Sequence, residues 1–353
     1  MEKKLPIILF SLPNQPDFTM VSGESVEVDK IDDNFEGFVF HPFKITEDSK
    51  PLFIKKSICE QVSIFDLNKF SERFASLPDI EKMPYCSDRI DFVKLVLTMQ
   101  NELHLKGVVK TVASRIKTVE TPQKINLVDL LKNLKENHPR HFNYLLFYPN
   151  NFMWIGSSPE LLIEQKDDQI KTVSLAGTKK ANANQEWTAK EINEQNIVTE
   201  YIKNKLESVG AFNIDAGNLD SVNAGSIEHL KTVFTANIKE VNPFEIAQKL
   251  HPTPAVGGFP KAGGVGIINL CETHDRSYYT GFLGMIEKKQ TNLYVSIRCA
   301  QIFKQQILVY LGAGITADSD PEKEWVETEN KASSLLTAIN TIAEEVTPTH
   351  NLF

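Results

Sequence analysis

The residues of this sequence best suited to chemistry are carboxylates spaced along two predicted helices. Near the C-terminal end, Glu324, Glu327 and Lys331 fall at i, i+3 and i+7, which places them on one helix face. Earlier in the chain, Glu191 and Glu194 form a second pair with i, i+3 spacing. Carboxylate oxygens are the ligands that Mg²⁺ prefers, so two such pairs could hold one ion across a cleft. The alternative is a pair of solvated charged faces, and the C-terminal stretch taken alone favours it.

Three further residues could take part in proton transfer or charge recognition. Lys110 lies among apolar, β-branched residues, where partial burial would favour its neutral, basic form; a strand-edge lysine that reaches solvent is the more common case. Glu160 stands between small turn residues and a hydrophobic strand, so desolvation could make it a general acid, although a turn acid that caps local amides fits the spacing equally well. Arg298 is flanked by apolar residues in a predicted strand, and we expect it to meet a carboxylate, either the protein's own or a ligand's, because an unpaired buried arginine is costly.

The predicted elements that would position these residues are strands and helices in mixed order. Residues 1–85 combine short apolar runs with Gly, Pro and acidic turns, which predicts strands and hairpins. Helical spacing of apolar residues predicts helices over 87–105 (N-cap Ser87, stop at Gly107), 126–137, 187–209, 243–250 and from the N-cap Asp320 onward. β-Branched and aromatic runs predict strands over 108–115, 144–164 in two parts, 172–178, 292–303 and 306–311. A glycine turn is predicted to end the strand at 172–178, and the Pro- and Gly-rich segment 251–261 is predicted to be a shaped loop.

The composition is that of an ordinary globular protein. With 353 residues, 41% of them hydrophobic, the chain can bury one large core or two smaller ones. Its formal net charge of −8 argues against a nucleic-acid or membrane surface as partner, since both need a concentrated basic patch. The N-terminal apolar run is interrupted by prolines and too short for a signal peptide or membrane span, so we expect a cytoplasmic enzyme. Its four cysteines show no paired spacing, which predicts buried free thiols.

Eight segments, in this order, resemble the chorismate-utilising enzymes, the family of isochorismate, anthranilate, aminodeoxychorismate and salicylate synthases. They are KTVASR (110–115), SPELL (158–162), SLAGT (174–178), KEINE (190–194), HPTPAVGG (251–258), DRSYYTG (275–281), SIRCA (296–300) and GAG with EWVETENK (312–331). Several ordered motifs over about two-thirds of the chain are far more specific than any one of them. The resemblance implies an α+β fold of two large antiparallel sheets, packed together and flanked by helices. It also implies a single chorismate-binding catalytic domain over 1–353, in which 1–100 match weakly and 101–345 carry the motifs.

The same resemblance implies roles for individual residues. Glu194 and Glu327 correspond to direct Mg²⁺ ligands, and Glu191 and Glu324 to outer acids that act through water. Lys110 corresponds to the base that activates water. The acid that assists loss of the C4 hydroxyl is Glu160. The groups that correspond to the substrate-binding set are Ala176, Gly177, Thr178, His251, Tyr279, Arg298, Gly312 and Lys331.

A few positions bear on which family member the chain resembles. Amination enzymes do not keep a lysine where Lys110 stands, and the aminodeoxychorismate type has a lysine where this chain has Ala176. HPTPAVGG is similar to the isochorismate synthases, so a Mg²⁺-dependent isochorismate synthase feeding menaquinone or siderophore synthesis is implied. A salicylate synthase and a non-catalytic chorismate-binding protein are the alternatives. The chain departs from the family pattern at Ser277, Gln195 and Asn196.

The expected partners follow from the composition and the resemblance together. Chorismate is the expected substrate and Mg²⁺ the expected cofactor, while nucleic acid, membrane and an obligatory glutamine amidotransferase are not expected. We expect a monomer or a weak dimer.

Overall fold

Two antiparallel β-sheets and the helices that cover them make up the structure. The computed structural model describes residues 5–27, 35–149, 151–180, 186–223, 227–239 and 241–346. The strands are β1 (Ile7–Ser11), β2 (Phe18–Ser22), β3 (Ser25–Glu27), β4 (Gly37–His41), β5 (Leu52–Lys55), β6 (Ile58–Val62), β7 (Thr111–Glu120), β8 (Phe142–Tyr148), β9 (Phe152–Ser158), β10 (Leu161–Lys166), β11 (Gln169–Lys180), β12 (Phe212–Asn223), β13 (Ile227–Asn237), β14 (Phe282–Glu287), β15 (Gln290–Val295), β16 (Cys299–Ile302) and β17 (Gln306–Ile315). The helices are α1 (Ser71–Phe74), α2 (Arg89–Lys106), α3 (Leu127–Asn137), α4 (Ala189–Ser208), α5 (Pro243–Leu250), α6 (Pro254–Gly257), α7 (Lys261–Cys271) and α8 (Pro321–Val346), with a 3₁₀ helix at Ile64–Phe70.

The strand order confirms the predicted fold class. One sheet has eight strands in the order β6-β2-β1-β8-β9-β16-β17-β7, and the other has nine in the order β12-β13-β11-β10-β15-β14-β4-β5-β3. All the pairings within them are antiparallel, and helices flank both sheets. Among the described residues, no helix is both long enough and apolar enough to cross a bilayer.

Aromatic side chains fill the space between the sheets. Phe40 of β4 stacks on Tyr278 with ring centroids 4.1 Å apart, and it meets Trp154 of β9 edge to face at 5.7 Å. Offset and edge-to-face pairs of this kind add to the stabilisation from burying the rings. Phe40 and Trp154 are both fully buried, so this cluster joins the nine-stranded sheet to the eight-stranded one.

The central strand β1 shows why its sequence is an unbroken apolar run. Ile8 and Phe10 point into the space between the sheets, whereas Ile7 and Leu9 belong to a second cluster beneath α3 and α8. Because alternate residues of a strand face opposite sides, a strand covered on both sides needs apolar residues at every position. A third cluster buries α4 and α5 against the nine-stranded sheet. The two acid-bearing helices, α4 and α8, therefore lie on different sheets.

Helix α2 follows the prediction with one shift at its start. The N-cap is Asp88 rather than Ser87, since the Asp88 side chain accepts a hydrogen bond from the Asp91 N–H at 2.9 Å. Gly107 ends the helix at φ 62°, a left-handed conformation that glycine adopts without steric cost. Serine and aspartate are similar as N-caps, so the sequence cannot choose between adjacent candidates.

The predicted glycine turn after Ala176 is not a turn. Gly177, at φ 59°, lies in a bulge within the continuous strand β11, where the pairing with β13 shifts register between Ala176 and Thr178. A bulge and a turn both favour glycine at positive φ, so the local sequence does not distinguish them. The bulge lets β11 continue beyond the predicted end at residue 178.

Arg298 does not lie within a strand, although the sequence predicted one strand over 292–303. Strand β15 ends at Val295 in the nine-stranded sheet, and β16 begins at Cys299 in the eight-stranded sheet. Arg298, at φ 50°, is in the link that carries the chain from one sheet to the other. The apolar residues on both sides of this link are buried because each belongs to a different sheet.

The segment predicted to be a shaped loop over 251–261 contains the single helical turn α6, and α7 begins at Lys261. Little in the sequence indicated α7, because three glycines in KAGGVGIINLC weaken its helix propensity. Burial of Ile267 against α2 and β7 stabilises it instead.

A buried ion pair joins α7 to the strand that follows Lys110. Glu272 and Arg276 are 4% and 2% exposed in their side chains, and their closest contact is 2.6 Å. Arg276 also donates to the backbone carbonyls of Val112 and Val256, while Glu272 accepts from the Ser114 N–H and hydroxyl. Every strong polar group of the pair thus has partners, which offsets the cost of removing two charges from water.

We expect Glu272→Ala to lower the free energy of unfolding by about 3–5 kcal/mol, because Arg276 would remain buried without its counter-charge. Urea denaturation followed by circular dichroism measures this loss. Glu24→Ala is the matched control, since the Glu24 and Lys55 side chains are 77% and 51% exposed at 3.9 Å. That change should cost less than about 1 kcal/mol. Equal losses in the two variants would contradict the role assigned to burial.

Candidate active site

Lys110 approaches an acidic residue of α4. Its Nζ lies 3.5 Å from the Glu194 Oε1, and both side chains are only partly exposed. Lys110 precedes β7 and is fixed there by backbone hydrogen bonds in both directions with Phe259. Its side chain runs over Gly314 of β17, where a Cβ atom would lie 3.0 Å from the Lys110 Cε. The glycine therefore leaves room for the lysine to reach Glu194.

Lys331 makes a similar contact on α8. Its Nζ lies 2.7 Å from the Glu327 Oε1 and donates to the Gly312 carbonyl at 2.8 Å. The predicted N-cap of this helix is confirmed, because the Asp320 carboxylate accepts from the Glu322 N–H at 3.0 Å. The predicted metal ligand of each acidic helix, Glu194 in α4 and Glu327 in α8, is thus in contact with a lysine.

Arg115 fixes α8 against β7. Its side chain is almost fully buried, its Nε donates to Thr328 Oγ1 at 2.8 Å, and its guanidinium also binds Glu329. The guanidinium carbon lies 3.9 Å from the centre of the Trp325 ring, which adds a cation–π contact. At 3.6 residues per turn these contacts use a flank of α8 about 120° from its Glu324–Lys331 face. That face is therefore left for the site.

Lys110 and Lys331 both lie near Glu160, which is in the link between β9 and β10. Burial raises the pKa of Glu160 to about 7, against the opposing effects of a Thr253 hydrogen bond, Lys110 and Lys331. The Thr253 hydroxyl donates to Glu160 Oε1 at 3.3 Å. Because both ammonium groups act on the same carboxyl group, the residues from the two sheets converge on one space. Glu194 and Glu327, the two predicted metal ligands, reach this space through their contacts with Lys110 and Lys331.

A cavity beside this space has a partly apolar lining. Lys110, Glu194 and Ala176 share that lining with Pro254 and Phe259, among others. Ala176, of the SLAGT segment, therefore lies next to Lys110 and Glu194.

The outer acids Glu191 and Glu324 have different surroundings. Glu324 is on the inner side of α8, where burial first and then the neighbouring Glu327 raise its pKa. Glu191 is near the start of α4, and its Oε2 accepts from the Thr188 N–H at 3.0 Å and from the Thr188 hydroxyl. The Glu191 carboxylate thus caps its own helix in this structure.

Tyr279 is positioned by the absence of a side chain at Gly312. A Cβ atom there would lie 2.7 Å from the Tyr279 hydroxyl and 2.9 Å from the Ala113 carbonyl. Burial raises the pKa of Tyr279 above its ordinary value, so the hydroxyl remains a donor. Gly177 lies in the bulge of β11, where its backbone forms a hydrogen bond with His229. The side chain of Thr178 lies outside what the structure describes.

Arg298 and His251 make no contact with the residues grouped around Glu160 that the structure describes. Within the described ranges no carboxylate lies within ion-pair distance of Arg298. The pKa of His141 is lowered to about 4, first by the burial of its ring and then by the positive charge of Arg298. His251 is buried among aromatic rings, with its Nε2 3.0 Å from the Phe43 carbonyl, and burial lowers its pKa to about 3. The structure therefore leaves His251 outside the group around Glu160.

His229 of β13 is a site residue that the sequence did not indicate. Burial lowers the pKa of its ring, which hydrogen-bonds the backbone of Gly177 and lies near Lys110, Lys331 and Glu327. It pairs with Thr178 across β11 and β13. A lone histidine on a strand gives no spacing signal, and only the pairing with the SLAGT strand brings it to the site.

A family model for chorismate-binding enzymes matches residues 36–340. The chain is 31% identical over 252 residues to the vibriobactin-specific isochorismate synthase of Vibrio cholerae, covering 67% of this chain and 64% of that protein. It is 29% identical over 269 residues to isochorismate synthase MenF of Haemophilus influenzae, covering 72% and 57%. It is also 28% identical over 296 residues to anthranilate synthase component 1 of Acetivibrio thermocellus, covering 80% and 58%. The chain thus spans less than two thirds of the length of these relatives.

Solved structures share the fold. Isochorismate synthase DhbC of Bacillus anthracis superposes with a TM-score of 0.77 at 23% identity, over 94% of this chain and 95% of that one. MenF of Escherichia coli superposes with a TM-score of 0.78 at 20% identity, over 95% and 88%. At these identities the likeness establishes the two-sheet architecture.

We expect Gly312→Ala to cost about 1–3 kcal/mol of folding free energy, because the new methyl group would overlap the Tyr279 hydroxyl and the β7 backbone. Gly266→Ala is the control: a Cβ atom added at this position of α7 would have no neighbouring atom within 4 Å. There the change should stabilise by up to about 1 kcal/mol, from helix propensity. Urea denaturation compares the two, and a neutral Gly312→Ala would contradict the close approach of Tyr279 to β17.

Proposed function

The chain belongs to the family of chorismate-binding enzymes, and on this basis we propose that it is an isochorismate synthase, which converts chorismate to isochorismate. The observation that carries the proposal is the pairing of an amine with a carboxylic acid around one space. Lys110 is one partner, and Glu160, with a pKa of about 7, is the other. Water addition to a ring carbon with loss of a hydroxyl group needs a base and an acid together. The names of the relatives in Vibrio cholerae and Haemophilus influenzae support the same activity.

In the proposed reaction the two groups act on different carbons. Lys110, acting from its neutral amine form rather than from the ammonium form that pairs with Glu194, removes a proton from water as the water oxygen bonds to C2, and Glu160 gives its proton to the hydroxyl that leaves C4. One water is consumed and one released, so the net change is an isomerisation. The Glu160 carboxylate and the Lys110 ammonium formed in this way return to their starting states by exchange with solvent. A pKa of about 7 leaves much of Glu160 protonated near neutrality, as its task requires.

The donor set fits Mg²⁺. This ion is usually held by one or two carboxylates and completes its octahedron with water and substrate oxygens. Among the described residues no group of three or more His, Cys, Asp or Glu side chains is arranged to hold a metal ion, so the proposed site depends on two direct protein ligands and leaves the other positions to water and substrate. We propose Glu194 and Glu327 as direct ligands and Glu191 and Glu324 as outer acids. When bound, Mg²⁺ would offset the negative charge of a substrate carboxylate.

Other residues of this chain would bind and orient the substrate. Chorismate is a dianion, and the chain as a whole is acidic, so cations must be placed locally. Lys331 and the Tyr279 hydroxyl face the space next to Glu160 and offer donors to a carboxylate. Arg298, Ala176, Thr178 and the amides of Gly177 and Gly312 complete the proposed binding set. His251 is left out of it, because its ring is buried against the Phe43 carbonyl, outside the group around Glu160.

We also propose a location, an oligomeric state and a pathway for the enzyme. All four cysteines are free thiols, although only Cys299 is buried as predicted. Free thiols are usual in a reducing compartment, which supports a cytoplasmic location. We propose a monomer or weak dimer that needs no glutamine amidotransferase, since water is the nucleophile. The product would supply menaquinone or siderophore synthesis, because relatives of both kinds match the chain.

Incubation of the protein with chorismate and Mg²⁺, with products resolved by chromatography, is expected to give isochorismate. Lys110→Ala should lower kcat about 10²–10⁴-fold, because the general base is lost. Lys304→Ala removes a lysine from an exposed pair with Asp79 and should leave the rate unchanged. Formation of salicylate and pyruvate would identify a salicylate synthase instead. Formation of anthranilate on addition of ammonia would exclude both the isochorismate synthase and the salicylate synthase. Binding of chorismate without turnover would indicate a non-catalytic protein.

The pH dependence of kcat/KM should report Glu160. Its raised pKa means that the acid is protonated below about pH 7 and ionised above it, so kcat/KM should fall as pH rises through about 7. Thr253→Val removes a hydrogen bond that favours the ionised form, so the fall should move to higher pH. Glu160→Gln should remove the alkaline limb together with most of the activity. A limb that is unchanged in the Thr253→Val enzyme would assign it to another group.

A further inference from the structure

Gln195, the residue after the predicted metal ligand Glu194, is fully buried and completely hydrogen-bonded. Its Oε1 accepts from the Ala176 N–H at 2.8 Å. Its Nε2 donates to Ser174 Oγ at 3.0 Å and to Thr232 Oγ1 at 3.1 Å. A side-chain amide offers one oxygen acceptor and two N–H donors, and here all of them have partners. One α4 residue therefore bonds to two neighbouring strands, β11 and β13.

The bond to Ala176 is made next to the bulge in β11. Ala176 precedes Gly177, whose φ of 59° marks the bulge. At Gly177 the strand lies so close to α4 that a Cβ atom would be 3.0 Å from the Glu191 carbonyl. An Ala176 amide left without a partner here would be costly, because a buried N–H group needs an acceptor. Gln195 supplies that acceptor and holds the strand against the helix.

The two ends of this contact both belong to the site. Ala176 and Glu194 line the same cavity, and Glu194 reaches Lys110 from the helix position directly before Gln195. A shift of β11 relative to α4 would therefore change the separation between the bulge and the carboxylate. We propose that Gln195 is a positioning residue that fixes the Ala176–Gly177 bulge relative to Glu194, an inference that rests on the proposed function of this site.

The bulge would bind a substrate carboxylate at a distance from the reacting carbons. Binding of that kind is the same in the ground state and the transition state, and its loss raises KM while kcat changes little. Loss of a purely structural hydrogen bond in the core would instead lower stability and leave KM unchanged. The split between KM and kcat separates the two roles.

Gln195→Met keeps the length of the side chain and removes all of its hydrogen bonds. We expect the KM for chorismate to rise about tenfold or more, with kcat within about threefold of the unaltered enzyme. We also expect the amide hydrogens of segment 174–178 to exchange at least about fivefold faster, measured by mass spectrometry without substrate, because the Ala176 N–H loses its acceptor. Unchanged KM with unchanged exchange in a folded variant would overturn the proposal, as would a fall in kcat alone.

Thr199→Val is the matched control. The Thr199 hydroxyl belongs to the same buried group, 3.4 Å from Ser174 Oγ and 3.5 Å from Gln195 Nε2, but it makes no bond to the Ala176 amide. Its KM and exchange rates should match those of the unaltered enzyme. A KM rise as large as that of Gln195→Met would overturn the assignment to Gln195.

Gln195→Asn tests the positioning role of Gln195 if the methionine variant does not fold. The Asn side chain retains a polar amide but is one methylene shorter. The variant should therefore also show a raised KM and faster amide exchange, both smaller in magnitude than in Gln195→Met. Normal KM and normal exchange in this variant would overturn the proposal. If the unaltered protein forms no isochorismate, the proposed function fails, whereas the exchange rates still test whether Gln195 holds the bulge.

Discussion

Carboxylates from two helices can share one space only where nearby cations offset their repulsion, and this constraint governs the site. Coulomb repulsion between two such groups is strong in a partly buried space. Lys110 lies against Glu194 and Lys331 against Glu327, so each helix arrives with its acid already paired. Both lysines also act on Glu160. The rest of the architecture serves to bring these paired groups together.

The two sheets meet this constraint by carrying one acidic helix each. Helix α4 packs on the nine-stranded sheet and α8 on the eight-stranded sheet, so the separation of the sheets sets the separation of the acids. Aromatic rings such as Phe40 and Trp154 fix that separation, because close-packed interiors resist small shifts. Arg115 and Gln195 then fix the two helices on their strands with buried hydrogen bonds. Each contact lies within a few residues of a predicted metal ligand.

Desolvation gives the site its second property. The Glu160 carboxyl group loses water contacts in the link between two strands, and that loss outweighs two neighbouring ammonium groups and raises its pKa to about 7. The same burial lowers the pKa of His229 and raises that of Tyr279. A chain of net charge −8 thus contains a local region where cations, neutral acids and neutral donors face an acidic pair.

The sequence by itself determined the features that depend on neighbouring residues. The Asp320 cap, the stop at Gly107 and the one-sided spacing of Glu324, Glu327 and Lys331 follow from local backbone geometry, and the ordered motifs indicated the family. Only the tertiary structure decided features that join residues far apart in the chain. It made Gly177 a bulge rather than a turn, put Arg298 in a link between sheets and brought His229 beside Lys110. Strand pairing and burial are set by partners that lie far away in the sequence, so no local pattern could contain them.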